Sequence, residues 1–520
     1  MNYFAITIGP IYKTFQNVRK TRELWAASYI FSLISKLLIE EINRKENGAI
    51  YIPYSSPVPK GIGIYPDRIF LKSVVISISD IESIKTKVYG NISQILDQTD
   101  GNSNSIQFIK DYFRIYTVQY NILENENPLL IGNHLLNTAE LRTLWQTYEQ
   151  PNQLLNFFRQ INKLRINDHK WINEHLDEQD IFNENRFESL IEIATRPIRH
   201  FNTNVYRNLV KKYCYKDTGE EIDGNEDPFV ADLKTALNHQ AGIEIFKNYH
   251  KYICIVKADG DMVGRYIKSI NENIQSELTN ISQKLYKWGI ATAGLIKEYK
   301  GVPIYIGGDD VLFIAPVVGA NNQHIIELCK NINENFKGQF TETRTDSKGP
   351  IKPTLSFGVS ITYYKFPLNE AVQKADELLK LAKNTRNTLC ISHLKHSGNS
   401  MDINLPLDAN NNITRYFMEL YPYFQDNANF VSSLIHHLRD HETVYRVLKG
   451  NAELIKNYLL NNFDASNITD MVIATSNLIV AVINKHEAID GDRKKSIKAM
   501  EEVFSMLRIL KFLNGHDDGK

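Results

Sequence analysis

Residues Tyr252 to Ala258 read YICIVKA, a nearly unbroken apolar run followed at once by Asp259-Gly260-Asp261. A strand with one wet face would alternate apolar and polar residues, so this run suits a strand buried on both faces. Its acidic end then falls where the chain leaves the sheet. Further on, Val302 to Pro316 (VPIYIGGDDVLFIAP) gives two β-rich arms around Gly307-Gly308-Asp309-Asp310. Helical periodicity fills Met262 to Lys300 between them, and a helix over Asn322 to Lys337 follows. Thr354 to Tyr363 then reads as a strand, Leu368 to Asn384 as a helix and Thr388 to His393 as a short strand. Strand, helix, strand, strand, helix, strand is the ferredoxin-like order.

The start of the chain repeats this plan. Tyr3 to Gly9 (YFAITIG) is strand-like, Tyr12 to about Asn43 has helical spacing, and Ala49 to Tyr54 with Ile64 to Lys72 reads as a hairpin joined by a Pro/Gly-rich loop. Both hairpins open on IYI, at Ile50-Tyr51-Ile52 and Ile304-Tyr305-Ile306. Pro53-Tyr54-Ser55-Ser56 follows in the first copy, where the second has the Gly-Gly-Asp-Asp turn. The first strand of the early copy also ends in Gly9-Pro10 where the later one ends in Asp259. The early copy is therefore degenerate and the later one keeps the acids.

At 520 residues the chain is too long for one core. We expect an α+β protein with a degenerate first unit (1–85), a mainly helical linking unit (86–250), a second ferredoxin-like unit carrying GGDD (251–398) and a C-terminal helical bundle (399–520). The bundle follows from helical periodicity between Ile413 and Leu513. Lys+Arg and Asp+Glu balance at 60 each, so the chain lacks the basic excess of a protein that grips nucleic acid unaided. Cys214, Cys254, Cys329 and Cys390 lie far apart without a CxxC pair or signal peptide, which argues for the cytoplasm and against a zinc ribbon. No apolar stretch is long enough to span a membrane.

The acids specify the chemistry. Nucleotidyl transfer uses two divalent ions about 3.5 to 4 Å apart, one activating the attacking hydroxyl and one stabilising the departing pyrophosphate. Such ions, Mg²⁺ or Mn²⁺, need hard oxygen ligands. Asp259 at a strand end and Asp309 and Asp310 on the neighbouring hairpin are placed to converge as catalytic and metal-binding residues, with Asp261 a further candidate ligand. Gly307 and Gly308 allow a tight turn and close approach of a nucleotide. Lys383, at the end of a predicted helix, would neutralise a triphosphate as a point charge.

The segments KADGDMVG and IGGDDVLFIAP, with ITIGPIYKTFQNVRKTRELWAASY near the start, resemble the polymerase-like large subunit of type III CRISPR RNA-targeting complexes, Cas ten, in its Cmr branch. The resemblance implies two palm domains, the first degenerate and the second active. It also implies an RNA-activated enzyme that turns ATP into a nucleotide second messenger, working with other Cmr-type subunits, guide RNA and target RNA. Asp259, Asp309 and Asp310 then take the metal role and Lys383 the phosphate role.

Three departures from that family matter. Many relatives carry a histidine-aspartate nuclease domain before the first palm, whereas this sequence opens on the palm strand, so we expect no DNA cleavage. Relatives often hold zinc between the palms through cysteines, whereas Cys214 stands alone there. In Tyr65-Pro66-Asp67-Arg68, Asp67 occupies a position where relatives of this branch often have Asn. If Asp67 faces a pocket shared by the palms, its charge favours a cationic acceptor over a second ATP. S-adenosylmethionine has that character, and a branch of the family without the nuclease domain is understood to join ATP to it.

Other residues carry less. His436, His437, Asp440 and His441 have metal-compatible spacing but lack the zincin glutamate, and read as a solvated or interface helix face. Arg19, Lys20, Arg22 and Trp25 fit a basic helix face beside a buried Trp. A catalytically idle scaffold and a stand-alone cyclic-dinucleotide synthase remain as alternatives.

Overall fold

The computed structural model describes residues 2–15, 18–54, 62–100, 105–123, 126–141, 188–214, 226–241, 244–395, 398–408, 410–426, 428–448, 451–463, 469–489 and 493–516. Most of the loop expected to join the first hairpin, and residues 142–187 of the linking unit, lie outside them.

The first sheet contains β1 (Asn2–Gly9), β2 (Ile50–Ile52), β3 (Arg68–Ser73) and β4 (Arg114–Tyr120), in the spatial order β2-β3-β1-β4. Strand β1 is antiparallel to both neighbours, with Ala5 opposite Phe70 and Val118. Helices α1 (Thr21–Lys45), α2 (Ile78–Asp100) and α3 (Pro128–Glu140) complete this palm. The second sheet is built from β5 (Tyr252–Asp261), β6 (Val302–Gly307), β7 (Asp310–Pro316), β10 (Thr354–Tyr363), β11 (Thr388–Leu394) and β12 (Ser400–Pro406). A small hairpin, β8 (Arg344–Asp346) and β9 (Gly349–Ile351), stands apart from it. The six strands lie in the order β12-β11-β10-β5-β7-β6. Taken in chain order, the first four strands of each palm thus occupy the same places, second, third, first, fourth. The duplication inferred from IYI is a duplication of topology.

Apolar patterning explains why β5 is central. Ile253 and Ile255 enter one core with the first palm and the linking helices, whereas Cys254, Val256 and Ala258 enter another with the C-terminal helices. Each buried Ile contributes about 1.5 to 3 kcal/mol, so a polar residue on either face would cost a large share of net stability. Helices α4 (Val263–Lys268), α5 (Ile274–Glu298), α6 (Ile325–Lys337) and α7 (Leu368–Thr385) surround this sheet. Strands β10 and β11 are parallel, with Phe357 opposite Leu389, and α7 is the crossover that a parallel pair requires.

Several expected boundaries move. The first palm does not stop at residue 85: its fourth strand, β4, lies within the stretch expected to be mainly helical. Strand β12 belongs to the second palm's sheet, with Ile391 opposite Ile403, although the terminal bundle was expected to begin at 399. Its Ile403 and Leu405 pack in one core with Phe417, Leu420, Leu507 and Leu510 of the terminal helices. The helix expected from Tyr12 restarts at Thr21, because the Glu23 carboxylate accepts the backbone N–H groups of Arg19 (2.6 Å) and Lys20 (3.3 Å) and closes a new N-terminus. The helix expected over Met262–Lys300 is split where Asn273 takes φ 46°. Ile64 to Asp67, expected in a strand, precede β3, and Gly63 instead bridges to Tyr305 of the other palm.

Candidate active site

The ladder of the second palm carries the acids to one place. Ala258 of β5 is opposite Val311 of β7, so Asp259 and Asp310 stand one step beyond that pair, at the same end of adjacent strands. Asp310 pairs with Gly307 across the β6–β7 hairpin, and Asp309 lies in its turn. The two glycines serve different ends. Gly308 has φ +66°, the left-handed region that side chains disfavour. Gly307 has no such dihedral, but a Cβ there would collide with the Tyr305 hydroxyl, whose ring folds back over the turn. A Cβ on Gly260 would likewise strike the Asp309 carboxylate, so that carboxylate lies directly against the β5 backbone.

Lys383, in the last turn of α7, reaches into this cluster. Its Nζ is 2.6 Å from Asp259 Oδ2 and 3.3 Å from Asp261 Oδ1, and donates to the Gly260 carbonyl at 2.7 Å. Asp261, expected as a further metal ligand, is anchored to the sheet through one of its two oxygens. Its Oδ2 accepts from Thr354 Oγ1 (3.0 Å), Ser356 Oγ (2.8 Å) and the Asn387 backbone N–H (2.8 Å), and the side chain is buried. Through that oxygen the carboxylate ties β5 to β10 and to the turn before β11, while its buried Oδ1 accepts no hydrogen bond and faces the Lys383 ammonium.

The remaining carboxylates repel one another. Burial, then the Asp259 charge, push Asp309 up to about 7, partly offset by Lys383. Asp310 is pushed well above the usual carboxylate range by burial and by Asp309, Asp259 and Asp67. Because Asp310 is open to solvent at the hairpin, crowding by like charges is the more secure of those causes. As the side chains stand, no three His, Cys, Asp or Glu residues among the described ones form a ready metal cage. Asp259 is engaged by Lys383 and Asp261 by its three donors. The donor set nonetheless fits a divalent cation, since hard oxygens are crowded until two carboxylates are driven toward protonation.

Beside Gly308 and Asp309 opens a cleft of about 890 Å³, counted to its mouth. Ile64, Phe70 and Leu129 of the first palm and Val263, Leu278 and Ile306 of the second supply apolar wall, with Tyr54, Tyr65 and Tyr286 as aromatic surfaces. Arg68, Asn133 and Ser282 add polar groups. A mostly apolar, aromatic cleft with a few fixed polar groups is the usual form of a small-molecule site. Hydrogen bonds from Tyr54 N to Ser282 Oγ (2.7 Å) and from Ile306 N to the Gly63 carbonyl (2.8 Å) fasten the two palms around it. Sequence reasoning missed these wall residues because they come from distant segments. The glycine-rich stretch around Gly63 was the available signal for close backbone approach.

Asp67 does not line this cleft, although Pro66 and Arg68 on either side of it do. It stands immediately before β3, as Asp309 and Asp310 stand at the start of β7, and its charge bears on Tyr305 and Asp310. Burial raises its pKa, against the pull of Arg68. The Arg68 guanidinium itself donates to Asn133 (2.6 Å), Asn137 (2.7 Å) and Glu140 (3.2 Å). The histidine motif lies away from the acids: His437 and His441 stack at 4.3 Å, and His441 Nδ1 meets the Tyr458 hydroxyl at 2.7 Å. Trp25 is a core residue stacked on Tyr29.

Residues 252–390 match the family described as Cas10/Cmr2, second palm domain, and residues 3–60 match CRISPR-associated protein Cmr2, N-terminal. A curated relative, CRISPR system Cmr subunit Cmr2 of Pyrococcus furiosus, is 32% identical over 207 residues. That alignment covers 34% of this chain and 22% of the relative. Among solved structures, a type III-B Cmr-beta complex bound to cognate target RNA contains a similar chain. Its TM-score is 0.57 at 11% identity, over 99% of this chain and 83% of the other. The apo state of Cmr-beta gives 0.52 at 12% identity, over 91% and 77%. Csm1 of T. onnurineus gives 0.50 at 13% identity, over 99% and 70%. At such identities the structures speak for the fold, and the two sequence matches fall on the duplicated palms, which are similar to the Cas10/Cmr2 second palm and the Cmr2 N-terminal region.

Proposed function

We propose that this chain is the metal-dependent nucleotidyltransferase of a type III-B CRISPR effector, making an ATP-derived second messenger when the complex meets target RNA. One observation carries the reading: Asp259, Asp309 and Asp310 converge at one end of the second sheet, beside a nucleoside-sized cleft between the palms. The likeness to Cmr2 and to the Cmr-beta complex bound to target RNA supports other Cmr-type subunits, guide RNA and target RNA as partners. Among the described residues no helix is long and apolar enough to cross a membrane.

Asp259, Asp309 and Asp310 would hold magnesium or manganese. Bound there, the ions would lower the pKa of the attacking hydroxyl and offset charge on the departing pyrophosphate. The apolar walls receive the base and exclude water, and Gly308 leaves the turn's backbone open to phosphate oxygens. Lys383, which rests on Asp259, is the cation at hand for the triphosphate. An acceptor hydroxyl bonds to the α-phosphorus of ATP, the bond to pyrophosphate breaks, and the hydroxyl proton is lost.

The acceptor is a second ATP, giving cyclic oligoadenylate, or S-adenosylmethionine, giving an adenylyl conjugate. Asp67, which lies outside the cleft lining, bears on the choice only at longer range, where its charge near Asp310 would attract a sulfonium or ammonium group.

Pyrophosphate release by the assembled complex with target RNA, ATP and Mg²⁺ tests the enzyme reading: wild type releases it and Asp309→Asn does not. Release by neither means a scaffold, and release by the isolated chain without RNA means a stand-alone synthase. Mass spectrometry of products with and without S-adenosylmethionine tests the acceptor. Asp67→Asn should shift the product toward oligoadenylate, and an unchanged ratio removes Asp67 from acceptor choice.

A further inference from the structure

Strand β5 outruns one of its neighbours. Its last pair with β7 is Ala258 opposite Val311, whereas its ladder with β10 continues to Asp261 opposite Thr354. Asp259, Gly260 and Asp261 are therefore paired on one side only. Asp259 and Asp261, two apart on a strand, share a face. Lys383 meets all three residues there: its Nζ lies 2.6 Å from Asp259 Oδ2, 2.7 Å from the Gly260 carbonyl oxygen and 3.3 Å from Asp261 Oδ1. The two oxygens of Asp261 have separate duties. Thr354, Ser356 and the Asn387 N–H fix Oδ2, so the carboxylate stays in place whatever cation faces Oδ1. Oδ1 is buried and accepts no hydrogen bond, so it meets the ammonium through charge alone. The Lys383 side chain is 26% exposed, which leaves the ammonium a way out to solvent.

We propose that the Lys383 ammonium occupies a cation site and is displaced from it by a divalent ion, so that Lys383 is free for the triphosphate only after metal has bound. This rests on the metal role proposed above for Asp259. An ammonium and a doubly charged ion cannot share these oxygens, because each neutralises the charge that holds the other and the two repel at contact distance. Hard oxygens accept either cation, and the doubly charged one gains more from them. Without metal, Lys383 offsets the mutual repulsion of Asp259 and Asp261 and is not available to phosphate. Its flexible stem can carry one point charge between the two positions. The chain thus holds its phosphate-binding lysine in reserve, which ties nucleotide capture to metal.

The test uses the full chain without nucleotide and Mn²⁺ as the probe, binding being followed by loss of the free-ion EPR signal. Lys383→Met keeps most of the stem and deletes the charge. We expect this variant to bind Mn²⁺ about tenfold more tightly than wild type, through removal of one charged, hydrogen-bonded competitor. Affinity equal to or below that of wild type overturns the displacement. A second measurement needs no variant: acetylation of wild-type Lys383, read by peptide mass spectrometry, should quicken several-fold when Mn²⁺ is added, and an unchanged or slower rate overturns the displacement too. Asp309→Asn separates this inference from the reading it rests on. Mn²⁺ binding that is weakened by Asp309→Asn but indifferent to Lys383→Met sinks the displacement alone, whereas Mn²⁺ bound by none of the chains sinks both.

Discussion

In the first palm the β1–β3 ladder ends with Thr7 opposite Arg68, and both side chains turn to Glu140 of α3, Thr7 Oγ1 at 2.8 Å and Arg68 Nη2 at 3.2 Å. In the second palm the matching ladder ends with Ala258 opposite Val311, and Asp259 and Asp310 lie just beyond. There Asp259 and Asp261 share the Lys383 ammonium, while Asp309 and Asp310 are driven toward protonation. One sheet order therefore supports two electrostatic outcomes. The first palm pairs its charges internally and can serve as wall and partner, whereas the second keeps an excess of negative charge that only a cation would relieve. Such an excess costs stability, and its presence on one copy alone is what the proposed nucleotidyl transfer at that palm would require.

The sharpest way to break this asymmetry is to remove acids from each side. Asp259→Asn or Asp310→Asn should lower pyrophosphate release by the target-bound complex at least about a thousandfold, roughly 4 kcal/mol of barrier. Asp67→Asn should leave total release within a few-fold of wild type while altering the acceptor. Equal losses from both palms would show the first palm to be catalytic as well.

A smaller contrast concerns packing. A Cβ on Gly358 of β10 would strike the Ala375 carbonyl and the Leu379 N–H of α7 and lie 3.0 Å from the Leu378 carbonyl carbon, all backbone atoms. Gly132 of α3 faces side chains instead, with Tyr120 Oη at 2.7 Å and Phe70 Cε1 at 2.9 Å. We therefore expect Gly358→Ala to cost more than about 3 kcal/mol by forcing α7 off its sheet. Gly132→Ala should cost about 1 to 2 kcal/mol, since side chains can shift and alanine favours the helix. Chemical denaturation of the two variants gives the comparison, and a reversed order would contradict it.

The third contrast is pH. His250 and His324 of the second palm each accept a backbone N–H through Nδ1, from Lys247 (2.9 Å) and Glu327 (3.4 Å), and burial holds both near 3. Glu327 Oε1 lies 3.7 Å from His324 Nε2 without reversing that shift. The first palm caps α3 with Asn127, which does not titrate. A depressed histidine pKa gives stability that is complete above about 6.5 and is lost as pH falls toward 3, about 2 kcal/mol per imidazole by pH 5. Asp309, raised to about 7, acts in the opposite sense, its protonation stabilising the fold as pH falls. Comparing wild type with His324→Asn cancels that contribution. From pH 7.5 to 5 the wild type should lose about 2 kcal/mol relative to the variant, and parallel curves would refute a neutral capping imidazole.

Much of this was legible in the residues. The apolar run into Asp259, the Gly-Gly-Asp-Asp hairpin and the repeated IYI foretold the ferredoxin-like order and the placing of Asp259, Asp309 and Asp310 at one sheet end, because strand patterning and turn chemistry are local properties. Strand β4 was missed because RIYTVQY is short and embedded in a polar, mainly helical stretch. Strand β12 was legible in principle, since exposed Ser400, Asp402 and Asn404 alternate with buried Met401, Ile403 and Leu405, but this one short run was absorbed into the long helical periodicity that follows it. The role of Asp261 was equally out of reach, since alternation along β5 cannot reveal that Thr354, Ser356 and Asn387 would converge on one carboxylate.

The sequence by itself determined which residue types end the buried strand and fill the hairpin turn, and hence the hard-oxygen chemistry available there. Only the tertiary structure decided which acids stay available, that Lys383 leans on Asp259, that Asp67 lies behind the cleft wall, and that Tyr305 joins the palms. Those outcomes depend on contacts between segments far apart in the chain, where packing selects partners that no local pattern encodes.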